Sequence, residues 1–392
     1  MSEQNQNTEH KTYNIENNPY VQKINIHYTL NPPETRVYLT ANYIPKEKGI
    51  IIIGGVTKNG EQYFEVTKYC LDTNKYIKYN TSILSFDFKI SGHGAEVITK
   101  DKIDQLFLFG GLDESNSYST SAYFIHPFNM NQTQIDFRRN KDLPRNMKDE
   151  YPLQRAYHTV NYDKAKNCIY IYGGTDLNIS NSKKESFQAV WRLHLEECSW
   201  GKITLSNPDK RGAPRGHTSI LYKGKLYVFG GIVLFKKVTN NFYMINLEKQ
   251  KIEPVLTKGP HPEPVAFHSA ALVNDECFIM HGGLDSNFNC VNHCYLFYFN
   301  TEEFVKIEIP LIPKLFGHKL VVCDNLSVFI VGGMDNFKYV GDESSIYKVE
   351  KEGETLFEKN EEELKYEPMK EMFELVLKLP TQTLEVETEN KN

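Results

Sequence analysis

The tightest cluster of residues capable of chemistry is the segment NCVNHC, where Cys290, His293 and Cys294 stand close together and His281 lies just upstream. Thiolate and imidazole are zinc ligands, but a closed zinc site takes four of them in a tetrahedron. Along a strand Cys290 and Cys294 point one way and His293 the other, so packing is favoured over metal binding. A second set is dispersed: His93, His158, His217, His268 and His318 recur every 50–65 residues. A residue repeated five times in register is expected to do one structural job five times, through packing and hydrogen bonding. No phosphate-binding loop, HExxH, GxSxG or CxxC occurs, and no catalytic group, metal or cofactor is expected.

The elements that must position these residues are set by six double glycines. Gly54–Gly55, Gly110–Gly111, Gly173–Gly174, Gly230–Gly231, Gly282–Gly283 and Gly332–Gly333 each close a short apolar run, such as LFLFGG, IYIYGG or LYVFGG. Self-similarity at this period marks a radial β repeat, because no single unit buries its own apolar faces. Residues 213–252 give the pattern of one unit. A strand through His217–Tyr222 ends at Lys223–Gly224, and a second, Lys225–Phe229, stops at the glycine pair. A third covers Phe242–Leu247 and a fourth begins near Lys251. Four antiparallel strands in each of six units predict an all-β, six-bladed β-propeller. The five histidines sit 13–17 residues before their glycine pairs; in the first unit Thr40 stands at the matching distance.

Composition narrows the class. The 392 residues carry a net charge of −5, with 24 Tyr and 23 Phe against 2 Trp. Nucleic-acid binding needs clustered basic charge, and pairs such as Arg138–Arg139 read as solvated loops. No run approaches the length of a membrane span, and the polar N-terminus lacks the apolar core of a signal peptide. Seven scattered cysteines are not a disulfide framework. The expectation is a soluble, cytoplasmic monomer.

The glycine pairs, the upstream histidines, the entries Arg155–Ala156–Tyr157–His158 and Pro214–Arg215–Gly216–His217, and Trp200 in the third unit together resemble the kelch family. The resemblance covers about four-fifths of the chain and implies a six-bladed propeller. The chain departs from the family pattern in two ways: the first unit has no histidine, and most units lack the usual tryptophan. Members of the family often close the ring with a strand from the far terminus. Residues 21–30, with alternating Ile24, Ile26, Tyr28 and Leu30, are read as the outer strand of blade six, against Glu354–Glu358 as a local alternative.

The expected organisation is an N-terminal disordered arm (1–20), the propeller (21–358) and an acidic C-terminal segment (359–392), partly docked. Near the C-terminus, Pro368 could open a helix presenting Met369, Phe373, Val376 and Leu377. Phe373, Leu375, Leu377 and Leu379 also alternate as a strand would, so both readings stand.

Function is expected where the repeats diverge, in loops held on a rigid frame. In the kelch family partners commonly dock on the face made by the loops after the glycine pairs and those between blades. On that face the candidates are Val233, Leu234 and Phe235 in an apolar loop, with Tyr118, Phe288, Phe337 and Tyr339 as aromatic anchors. Arg36, Arg155 and Arg215 enter first strands from the same side. Their scaffold role is hydrogen bonding; their functional alternative is a ring of guanidinium groups gripping peptide carboxylates. The resemblance implies a non-catalytic scaffold or adaptor for a protein or peptide partner, such as a small GTPase or a cytoskeletal or trafficking factor. The alternatives are a mutarotase- or lyase-type enzyme working at the central channel, and an actin-binding protein. Copper-radical oxidases and iron-using specifier proteins also carry kelch-like propellers, but their metal-binding motifs have no match here.

Overall fold

The computed structural model describes residues 10–15, 18–28, 32–63, 65–79, 89–100, 103–135, 151–176, 187–208, 212–233, 237–335 and 371–379. These residues form six antiparallel blades arranged as a propeller. Blade one is Thr40–Ile44, Gly49–Ile53, Thr67–Cys70 and Lys75–Lys78. Blade two is Gly94–Lys100, Ile103–Phe109, Ala122–Ile125 and Gln132–Gln134. Blade three runs Ala156–Asp163, Cys168–Thr175, Val190–His194 and Ser199–Ile203. Blade four runs Thr218–Tyr222, Lys225–Phe229, Phe242–Asn246 and Lys251–Pro254, within a residue of the sequence reading. Blade five is Ser269–Leu272, Cys277–His281, Cys294–Tyr298 and Glu303–Ile307.

Blade six is assembled from both ends of the chain. Lys319–Cys323 and Ser327–Val331 pair locally, Glu371–Leu377 adds as the third strand, and Val21–Tyr28 adds outside it. The acidic C-terminal stretch therefore contributes a strand to the propeller, with Phe373, Leu375 and Leu377 buried on one face. The helical reading does not hold over Glu371–Leu377. Glu354–Glu358 lies outside the described residues. Val21–Tyr28 is not the outermost strand: His10–Asn14, within the stretch expected to be a disordered arm, pairs along its free edge. Thr12 Oγ1 donates to Asn25 Oδ1 at 3.0 Å across that pairing. A bare strand edge exposes unpaired amides and carbonyls, and the added strand covers it.

The first strands of consecutive blades lie side by side, and that of blade six lies against that of blade one, so six inner strands enclose an axial channel. The apolar cores lie between blades. Phe229 and Phe242 of blade four, for example, pack against Phe278, Phe297 and Phe304 of blade five. Abundant Tyr and Phe suit these sheet-to-sheet contacts, since each ring fills the space between half-buried pleated surfaces.

Candidate functional site

The recurring histidines tie each blade to the one before it. Thr40 Oγ1 lies 2.7 Å from His93 Nε2, Thr159 Oγ1 lies 3.3 Å from His217 Nε2, and Thr218 Oγ1 lies 2.8 Å from His268 Nε2. Each ring also sits against the first glycine of the preceding blade's pair. A Cβ on Gly110 or Gly230 would come within 2.9 Å of the His158 or His268 ring. Burial holds His93, His217 and His268 at about 3, so these imidazoles are neutral and each shares a hydrogen bond with a threonine hydroxyl. The structure corrects the alignment of unit one. A Cβ on Gly332 would meet the Leu39 side chain, so Leu39, not Thr40, holds the histidine position. Counting back from the glycine pair fails because the hairpins between first and second strands differ in length.

Above the histidines, one residue from each blade closes the channel. The amide of Tyr38 donates to the carbonyl of Gly317, Gly317 to Phe267, Phe267 to Gly216, Gly216 to Tyr157, Tyr157 to Gly92, and Gly92 back to Tyr38. The six bonds measure 2.7–3.0 Å and form a closed cycle around the axis. All six residues have φ between 54° and 64°, a left-handed conformation that turns each amide towards its neighbour. Aromatic and glycine positions alternate. Tyr38, Tyr157 and Phe267 pack on one another with ring centroids 5.0–5.5 Å apart and plug this end. The three glycines provide the room: a Cβ on Gly92 or Gly216 would come within 2.8 Å of the Tyr157 or Phe267 ring.

The plug lies on the face carrying the glycine-pair loops and the inter-blade connections. Around it Val37, Ala156, Ala266, Phe316, Ile232 and Leu284 form an apolar floor that is buried beneath the surface, with Tyr118, Phe288, Cys290 and Met334 half-buried at its margin. Of the residues singled out from the sequence, the structure thus brings Tyr118 and Phe288 to one surface. Val233 is buried in a two-stranded ribbon, Ile232–Val233 against Lys237–Val238, and is not an exposed tip. Leu234, Phe235, Phe337 and Tyr339 lie outside the described residues.

The three arginines do not form a ring. Arg36 and Arg155 are 1% and 0% exposed, which removes both from the surface. Arg155 Nε donates to the Leu153 carbonyl and Nη1 to the Gly173 carbonyl, both at 3.0 Å, with the guanidinium 4.7 Å from the centre of the Phe187 ring. Arg36 stacks 3.7 Å from the Tyr63 ring centre. Burial lowers Arg36 to about 10 and Arg155 to about 9, and both remain cationic at neutral pH. Arg215 is one position out of register with them. Gly110 and Gly332 face the Arg155 and Arg36 carbonyls, whereas the matching contact of Gly173 is with Pro214. Arg215 therefore occupies the floor position of Val37, Ala156 and Ala266. It is half-buried, and its Nε and Nη2 have no hydrogen-bond partner among the described residues.

Two members of the cysteine–histidine cluster, His281 and Cys294, are buried within the fold. His281 is engaged at both nitrogens, by His318 Nε2 at 3.0 Å and the Pro313 carbonyl at 3.1 Å. Burial raises the Cys294 thiol to about 12, so it stays protonated. Among the described residues no three His, Cys, Asp or Glu side chains are grouped to hold a metal.

Sequence reasoning missed two charged residues on the inner strands, Glu96 and Lys319. The signal was available. The residue after each histidine position reads Thr40, Gly94, Thr159, Thr218, Ser269, Lys319: four hydroxyls, a glycine and one ammonium.

Comparison with known proteins agrees with this geometry. Residues 92–333 match the family model described as the KLHDC2/KLHL20/DRC7 Kelch-repeats domain. The chain is similar to Kelch domain-containing protein 10 of Rattus norvegicus, 28% identical over 182 residues, which is 46% of this chain and 40% of that protein. The Homo sapiens protein of that name is 27% identical over 183 residues, 46% of this chain and 37% of the relative. Rho GTPase-activating protein gacHH of Dictyostelium discoideum is 30% identical over 130 residues, 30% of this chain but 8% of its own length. The matches thus span two-fifths or less of these relatives. With six blades, the glycine-pair repeat and a family match over more than half its length, the chain belongs to the kelch-repeat family.

Proposed function

We propose that this chain is a non-catalytic protein-binding module, a monomeric cytoplasmic scaffold that presents its glycine-loop face to a protein or peptide partner. The observation that carries the reading is the surface around the plug. A closed backbone cycle and three aromatic rings seal the channel on this side, so a ligand arriving here meets a floor and not a pore. The apolar floor is itself buried; its rim offers the half-buried Tyr118 and Phe288, and beside them the half-buried Arg215, whose Nε and Nη2 are buried without a hydrogen-bond partner among the described residues. Aromatic side chains beside an arginine are the composition of binding hot spots, and a guanidinium pairs bidentately with a carboxylate. Small GTPases and cytoskeletal or trafficking factors are the partner classes favoured. Among the described residues no helix is long and apolar enough to cross a membrane.

The test is affinity capture from the native source with wild type, Arg215→Glu and Phe288→Ala proteins, each first shown to keep the wild-type melting temperature. Loss of the same retained protein from both variants supports the reading. Retention by both moves the binding surface elsewhere.

A further inference from the structure

The scaffold gives a reason for every position after a histidine except the last. Thr40, Thr159 and Thr218 supply hydroxyls to the histidine of the next blade. Gly94 is glycine because a Cβ there would lie 2.2 Å from Val160 Cγ2. Ser269 Oγ accepts from the Leu320 amide at 2.8 Å. The position in blade six faces blade one, where Leu39 replaces the histidine and no hydroxyl is required. It holds Lys319.

The Lys319 side chain is exposed, between the buried His318 and Leu320 on the same strand. Lys319 opens the inner strand Lys319–Cys323, one of the six that enclose the axis, and its charge is felt by His93, His158, His217, His268 and His318, one from each of blades two to six. The plug closes the channel two residues above it, at Gly317. Lys319 is therefore reached from the opposite face, inside a blind channel. It makes no ion pair or hydrogen bond among the described residues. The nearest carboxylate influence is Glu96 of blade two, beyond ion-pair distance. An ammonium inside a channel walled by protein, with no counter-ion among the described residues, attracts an anion that can enter, because low-dielectric walls focus its field.

We propose that the blind axial channel is a binding site for a small oxyanion, inorganic or a carboxylate, anchored by Lys319. The five histidines around it are all held neutral by burial and add no charge near pH 7. Glu96 sets the pH response. Burial raises its carboxyl to about 7, so protonation of Glu96 removes the one negative charge acting on Lys319 as pH falls through neutrality. Burial also lowers the Lys319 ammonium, so the site loses its cation at the alkaline end sooner than a surface lysine would. The site is distinct from the loop face and does not depend on the partner proposed there.

The experiment is calorimetric titration of the full chain with inorganic sulfate, which does not titrate in this range, and with succinate, at pH 6 and pH 8. Wild type should bind one equivalent of at least one anion, and more tightly at pH 6. Preference for sulfate or for succinate tells the two sources apart. Lys319→Met should weaken binding by roughly ten- to a hundredfold, the loss of one charge-assisted contact. Lys319→Arg should retain it, and Glu96→Gln should bind sulfate equally at both pH values. Unchanged affinity in Lys319→Met, or no binding to wild type at millimolar anion, overturns the proposal. Melting curves establish that each variant is folded, and failure of Lys319→Met to fold leaves Lys319→Gln to decide.

Discussion

The amide of Tyr38 donates to the carbonyl of Gly317 at 2.9 Å, joining the first inner strand of the propeller to the last. Some 280 residues of chain separate the two, and their bond completes a cycle in which every blade gives one amide and receives one carbonyl. A second clasp lies further out in blade six, where the two terminal strands pair. The propeller is thus closed twice, by backbone near the axis and by strand pairing further out.

The inner closure relies on glycine at every second position. Gly92→Ala should destabilise the fold by about 2–4 kcal/mol, because the new methyl would lie 2.8 Å from a Tyr157 ring carbon that the plug holds in place, at a φ of +61°. Gly224→Ala is the control, since its φ is +73° but nothing lies within 4 Å of the added carbon. Only the backbone term remains there, about 1 kcal/mol. Urea denaturation midpoints compare the two, and equal losses would mean that the plug has no packing role.

The six-fold architecture was legible because the glycine pairs recur with an apolar run before each. A third strand entering blade six from residues 371–377 was legible only as one of two readings, since Phe373, Val376 and Leu377 fit a helical stripe as well as strand alternation. The arginines were legible as scaffold hydrogen-bond donors, and Arg155 is one, but their burial was not. Arg36 and Arg155 look like surface charge in a sequence, and only the Leu153 and Gly173 carbonyls and the Tyr63 and Phe187 rings explain their burial. The plug was hidden because its six residues alternate between aromatic and glycine, a pattern visible only once the blades are superposed.

Arg155 and Arg215 should separate stability from binding. Arg155→Ala leaves two carbonyls without donors inside the protein and should cost about 2–4 kcal/mol. Arg215→Ala removes nitrogens that bond nothing among the described residues and should change stability by about 0.5 kcal/mol or less. Chemical denaturation of both variants is the check, and a large loss from Arg215→Ala would assign that residue to the scaffold.

Acid should loosen the ring of inner strands. The five histidines have folded values depressed by burial, to about 3 for His93, His217 and His268, against an ordinary value near 6.5. The unfolded chain therefore binds more protons between these limits. Stability is full above about pH 6.5 and falls as pH drops towards 3, by about 1.4 kcal/mol per histidine per pH unit. His217→Gln and His268→Gln should each lower the neutral-pH stability while making the acid slope shallower. A slope unchanged in both variants would exclude the histidines as its source.

Glu374 governs the outer clasp at lower pH. It sits on the strand Glu371–Leu377 and accepts from Asn25 Nδ2 at 2.7 Å and Ser327 Oγ at 2.7 Å, with His27 Nε2 at 3.0 Å. One carboxylate thus links the strand from the N-terminus to the strand from the body of blade six. Burial alone would raise its pKa, but these hydrogen bonds outweigh burial and hold it at about 2. A carboxyl depressed in the folded state stabilises the fold above its unfolded value, about 4.3, and that contribution is lost as pH falls towards 2. Amide hydrogen exchange along Val21–Tyr28 should therefore accelerate between about pH 4.3 and 2 in wild type. Glu374→Gln should exchange faster already at neutral pH and show no further step in that window, after correction for intrinsic exchange. If wild type and variant keep the same protection throughout, the clasp is held by strand pairing alone and the carboxylate adds nothing to it.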